Sequence, residues 1–122
     1  MTNFYQINKE LLNVDPKATP KNIHAQALDI KGELEQADQN INIIMMHTPT
    51  EQQVSDLEAY GCKVALLGGE LSLMIAVKDL LISDGYRCFV ATTERVSVEV
   101  VNEDGSVTKQ SRFNYCQMRE LQ

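Results

Sequence analysis

The chain has no hydrophobic run long enough to cross a bilayer. Its apolar stretches, such as residues 43–46 and 63–67, fall far short of the ~20 residues a spanning helix needs. The opening Met1-Thr2-Asn3-Phe4-Tyr5-Gln6 lacks a basic region followed by an apolar one, so no secretory leader is expected and the expected location is cytoplasmic. Cysteine is scarce and dispersed. Cys62, Cys88 and Cys116 form no C-x-x-C pair, which excludes the usual zinc frameworks, and no clustered set of metal ligands exists elsewhere. Buried, reduced thiols packed as small hydrophobes are the expectation, with Cys62 and Cys88 each opening an apolar run. Positive charge is short as well. The formal net charge of −6 argues against wrapping long nucleic acid, though not against a small anion held by backbone N–H groups. There is no internal repeat, low-complexity tract or linker. A chain of 122 residues, 43% of them apolar, fits one domain with its own core.

What remains is an ordered alternation of helical and strand patterns. Phe4, Ile7, Leu11 and Leu12 recur at helical spacing and predict a short helix over residues 4–12, broken by Val14-Asp15-Pro16. Thr19-Pro20 is a helix start, and Ile23, Ala27, Ile30 and Leu34 make one stripe to about Ala37. Residues 40–47 predict a buried strand. Thr50 to Gln53 is a capping box opening a helix that ends at Tyr60-Gly61. A second strand over 63–67, the turn Gly68-Gly69-Glu70 and an apolar helix over 71–82 follow. A third strand spans 87–91. Met45, Met46 and Met74 are expected core fillers.

Strand, helix, strand, helix, strand implies a parallel sheet with right-handed crossovers, and strands apolar on both faces imply helices on both sides. The ending differs. Val96, Val98 and Val100 alternate with polar residues, Glu103-Asp104-Gly105 signals a turn, and a second run follows to Met118. The expected fold class is α/β, a small Rossmann-like three-layer domain with a C-terminal antiparallel hairpin. Its parts are N-terminal helices (1–38), a core (40–95) and the hairpin (96–118). Alternation places Phe113, Tyr115 and Gln117 on one hairpin face, and Cys116 and Met118 on the other. A hairpin partly apolar on both faces suggests cover from two sides, for which a homodimer is one source.

Ligands of open parallel sheets bind beyond the carboxyl ends of the strands. Those ends are His47-Thr48-Pro49-Thr50, Gly68-Gly69-Glu70-Leu71-Ser72 and Thr92-Thr93-Glu94-Arg95. Paired glycines let backbone approach a ligand, and the following helix would aim free N–H groups at an anion. Ser72 adds a hydroxyl, Thr92 and Thr93 two more, and Arg95 suits phosphate or carboxylate. An imidazole can act as general acid or base, so His47 is the candidate proton carrier, while His24 reads as a surface residue of its helix. Neither a Walker loop, a G-x-G-x-x-G fingerprint nor a Ser-His-Asp order is present.

The apolar strand, Gly68-Gly69, a small hydroxyl residue and the apolar helix around Met74-Ile75-Ala76-Val77 together resemble the CARF domains, the Rossmann-like domains of CRISPR systems. The His47-Thr48-Pro49-Thr50 segment is similar to their first ligand loop. The resemblance spans roughly residues 40–95. It implies binding of a cyclic oligonucleotide or related nucleotide signal across a dimer, and in the ring nucleases its metal-independent cleavage. Thr48, Gly68, Gly69 and Ser72 match the ligand-loop positions. Thr92, Thr93, Glu70 and Arg95 join the ligand set from strand-end geometry, and His47, Ser72 and Arg95 would be catalytic. No cofactor, long nucleic acid or membrane partner is expected. Two other readings stay open: a non-enzymatic protein-interaction subunit, and an enzyme acting on a small anionic metabolite.

Overall fold

A computed structural model describes residues 4–37, 40–61 and 63–122. These residues form an α/β domain around one five-stranded sheet. In chain order the elements are β1 (Phe4–Gln6), α1 (Pro20–Gln36), β2 (Ile43–Met45), α2 (Glu51–Glu58), β3 (Val64–Leu67), α3 (Leu71–Ser83), β4 (Arg87–Val101) and β5 (Val107–Leu121). The strand order is sequential. β1 to β4 are parallel, and β5 returns antiparallel to β4. The expectation that Cys62 opens a strand lies outside the described residues.

The helix starts follow the capping signals. Thr19 and Thr50 each accept from the third following backbone N–H, and the side chains of Asn22 and Gln53 return the bond. The expected helix over residues 4–12 is instead β1 followed by a 3-10 turn at Lys9–Leu12. A short periodic signal gives way here to parallel pairing of Tyr5 with Ile44 and of Gln6 with Met45. The pairing continues as Ile7 N–H donates to Met45 O at 2.8 Å.

Alternation along the strands divides the core between two faces. Ile7, Ile44, Met46, Ala65, Leu67 and Cys88 face α1 and α3, which pack side by side through Ile23, Ala27, Ile30, Leu73, Val77 and Leu81. Ile43, Met45, Val64, Leu66, Phe89 and Met118 face the other way, onto Leu57 of α2. Sequential order means that all three crossovers step across the sheet in one direction. With α1 and α3 on one face and α2 on the other, they cannot share a hand. The middle crossover is opposite to its neighbours, a correction to the expectation that the crossovers among the strands at 40–47, 63–67 and 87–91 are all right-handed.

The end of the chain also departs from expectation. Thr92-Thr93-Glu94-Arg95 is not a loop after a third strand; it lies inside the continuous strand β4. β3 pairs β4 only as far as Leu67 with Val90. Beyond that level β4 and β5 continue alone as a two-stranded arm, roughly 35 Å long at about 3.3 Å per residue. The register jumps between Thr92 and Thr93, whose partners are Gln117 and Tyr115, leaving Cys116 as the extra residue of a bulge. The bulge resets the alternation, so Tyr115 shares a face with Met118, not with Gln117, and both join the cluster under α2.

Candidate functional site

The carboxyl ends of β1, β2 and β3 form one edge of the sheet, and the alternating crossovers shape it. Chain leaving β1 turns toward the α1 face, chain leaving β2 toward the α2 face, and chain leaving β3 back toward the α3 face. Adjacent connections that part to opposite sides open a crevice between strand ends. In familiar doubly wound sheets this happens where strand order reverses. Here a change of hand makes the connections part in that way on both flanks of β2, with no reversal.

Two contacts organise that edge. Gln6 Nε2 donates to Thr48 Oγ1 at 2.9 Å, tying the end of β1 to the loop after β2. The His47 ring packs on Gly68, where an added Cβ would stand 2.6 Å from His47 Cδ2. Gly68 is therefore required by a neighbour's volume, whereas Gly69, at φ +101°, is required by its backbone. Nδ1 of His47 lies 3.3 Å from Thr48 O. His47, Thr48 and Gly68 are thus brought together as expected residues of one edge. Gln6 was missed, because a helical reading of the N-terminus hid its position at a strand end.

The α3 N-terminus is already occupied. Glu70 is its cap, with Oε2 accepting from Leu73 N–H at 2.9 Å. That bond, then a second from Ser72 N–H, holds the Glu70 carboxyl below its ordinary pKa. The expectation of free N–H groups at this end is corrected accordingly: Glu70 serves as an internal anion there.

The remaining candidates are dispersed. Ser72 is exposed and lines a cleft of about 270 Å³ between α1 and α3, which His24 also lines. Thr92 spends its hydroxyl on Gln117 O at 3.0 Å, beside the bulge. Arg95 lies on the arm, roughly 16 Å along the strand past Val90 at about 3.3 Å per residue. Its guanidinium donates to Ser111 Oγ from Nε at 3.0 Å and from a terminal nitrogen at 2.9 Å. Thr93 and Arg95 share the α2-side face of the arm, and Glu94 the other. The register therefore does not gather Arg95 with His47, and Ser72 sits on the helix side of the edge.

Two larger clefts lie elsewhere. One of about 320 Å³ opens at the amino ends of the strands, where Lys31 pairs with Asp84 at 3.6 Å and Lys63 Nζ stands 5.6 Å over the Tyr86 ring. Another of about 510 Å³ runs between α2 and β5. In it Tyr115 donates its hydroxyl to Asp56 at 2.6 Å, and Gln52 supports the same carboxylate at 2.8 Å. Of the described cysteines, Cys88 is buried, its thiol pushed up to about 11 by desolvation, while Cys116 is exposed, contrary to expectation. Among the described residues no His, Cys, Asp and Glu group could hold a metal ion, and no helix is long and apolar enough to cross a membrane.

Among known proteins, a family model described as the Uncharacterized protein MJ1673 family matches residues 2–119. No curated protein and no solved structure matches the chain.

Proposed function

We propose that this chain, which belongs to the Uncharacterized protein MJ1673 family, binds a nucleotide-type anionic ligand, a cyclic oligonucleotide in the first instance, at the carboxyl edge of β1 to β3. The observation that carries the reading is the convergence of Gln6, His47, Thr48 and Gly68 at the strand ends on either side of β2. The Thr48 hydroxyl and the Gly69 backbone supply contacts suited to ribose and phosphate oxygens. His47, held against Gly68, presents an imidazole that can donate to a phosphate. A phosphate reaching the α3 N-terminus would displace the Glu70 carboxylate rather than enter empty space. Binding fits this geometry better than cleavage, because Ser72 and Arg95 are not aligned with His47 on one scissile group.

The test is a thermal-shift series with cyclic oligonucleotides, mononucleotides and inorganic phosphate. A ligand held only by the folded state raises the melting midpoint once its concentration exceeds Kd. The expected result is a rise with a cyclic oligonucleotide that Thr48→Ala or His47→Ala reduces. No rise with any of the three classes removes the proposal and leaves the interaction-subunit reading, which the β4–β5 arm favours.

A further inference from the structure

The arm poses a problem of its own. A lone two-stranded hairpin is marginal in water, and three or more strands are needed for independent stability. This one projects past the body with Val101 72%, Val107 55% and Phe113 69% exposed. It also has an open edge. Arg87 N–H donates to Lys63 O, on the β3 side, while Asn102 N–H donates to Ser106 O, on the β5 side. Main-chain direction therefore keeps its parity along β4, and odd-numbered residues aim N–H and C=O away from β5. From Thr93 to Val101 no strand of the described residues receives them.

We infer that this edge pairs with the same edge of a second copy. The occupant is identified by self-complementarity. In an antiparallel pairing about a two-fold axis at Ser97, Arg95 of one copy lies opposite Glu99 of the other, and the axis repeats the pair. Both residues aim their main chain outward, so they fall at hydrogen-bonded positions and share a face. Val96 then meets Val98, twice. Axes at Arg95 or Glu99 would instead oppose like charges. The outer edge of β5 offers no such match: between Val107 and Arg119 it carries Lys109 and Arg112 and no acidic residue, so self-pairing would set cation near cation. Basic side chains on an edge strand discourage added strands, and on β4 the one basic residue of the open segment, Arg95, has an acidic counterpart in Glu99. The product is a four-stranded ribbon, β5-β4-β4-β5, with the isologous symmetry usual in dimers.

Light scattering across a concentration series tests this in the full chain, with circular dichroism to confirm folding of each variant. The wild type is expected to be dimeric at tens of micromolar. Ser97→Pro removes an outward N–H without touching the β5 ladder and is expected to give a folded monomer. Arg95→Glu and Glu99→Arg should each weaken dimerisation roughly tenfold, since two symmetric pairs are lost, and the double exchange should restore it. A monomeric wild type, or a dimer indifferent to Ser97→Pro and to the charge exchanges, overturns the inference.

Discussion

The imidazole of His47 fills the space beside Gly68 that any side chain there would need, with Cδ2 2.6 Å from the position of an added Cβ. Because the conflict is with a side chain, Gly68→Ala should force His47 out of place at a cost of about 1–3 kcal/mol. His47→Ala should remove most of that cost, so the two changes should be strongly non-additive. Urea denaturation of the two single variants and the double variant checks it. Additive losses would mean that the ring does not set the requirement for glycine.

Glu70 couples acid stability to the proposed site. Hydrogen bonds from Leu73 N–H first, and Ser72 N–H next, lower its folded pKa. A depressed carboxyl contributes stability that is present above its unfolded pKa and lost as pH falls through the folded one. Glu70→Gln should therefore lower the melting midpoint by a few degrees near neutrality, and the gap to wild type should close as pH falls below the usual carboxylate range. Asp104, bonded by Ser106, and Glu120, bonded by Arg87, are shifted the same way and should add to the acid sensitivity. The same Glu70→Gln change removes the negative charge that competes at the helix N-terminus, so a ligand phosphate seated there should bind several-fold tighter. Weaker binding in this variant would place the phosphate elsewhere on the edge.

The thiols should separate cleanly by reactivity. Cys88 is buried between sheet and helices with its pKa pushed up to about 11, so thiolate is scarce near neutral pH. Cys116 stands exposed on the β5 bulge. In a Cys62→Ser background, a thiol reagent at pH 8 should label Cys116 rapidly and Cys88 only after denaturant is added. Prompt labelling of both in the native protein would contradict the packing of Cys88.

The parts of this fold that were legible in sequence are those fixed by local chemistry. Thr19 and Thr50 carry their caps within three residues, and Ile43 to Met46 and Val64 to Leu67 are too apolar to lie anywhere but between layers. Phe4, Tyr5 and Gln6 were misread because their strand exists only through pairing with β2, which no local period encodes. The exposure of Cys116 and the company of Tyr115 depend on one bulge, and a bulge shifts every later residue to the other face without a compositional mark. Crossover hand was also hidden, because a helix on either face of a parallel sheet shows the same apolar stripe. Of the site, the loop residues were legible as polar ends to apolar strands. The Gln6 contact and the Glu70 cap were not, since both depend on side chains finding partners.

Tyr115 should make the protein unusually sensitive to alkali. Its ring packs in the cluster under α2, and its hydroxyl reaches Asp56 at 2.6 Å. Desolvation first, and then the bond to Asp56, raise its pKa above the ordinary phenol value. A raised pKa means that the stabilisation is fully present below the unfolded value, about 10, and is lost as pH climbs toward the folded one. Tyr115→Phe should cost about 1 kcal/mol at neutral pH, less than a fully buried charged bond would, because the pair is only partly buried. Above about pH 10 the wild type must retain a neutral phenol that the unfolded chain ionises freely, so its advantage over Tyr115→Phe should shrink with each further rise in pH. Chemical denaturation of both proteins from pH 7 to 11 reads this directly. A constant difference across that range would mean that the Asp56 bond does not hold the phenol proton and that Tyr115 anchors α2 to β5 by ring packing alone.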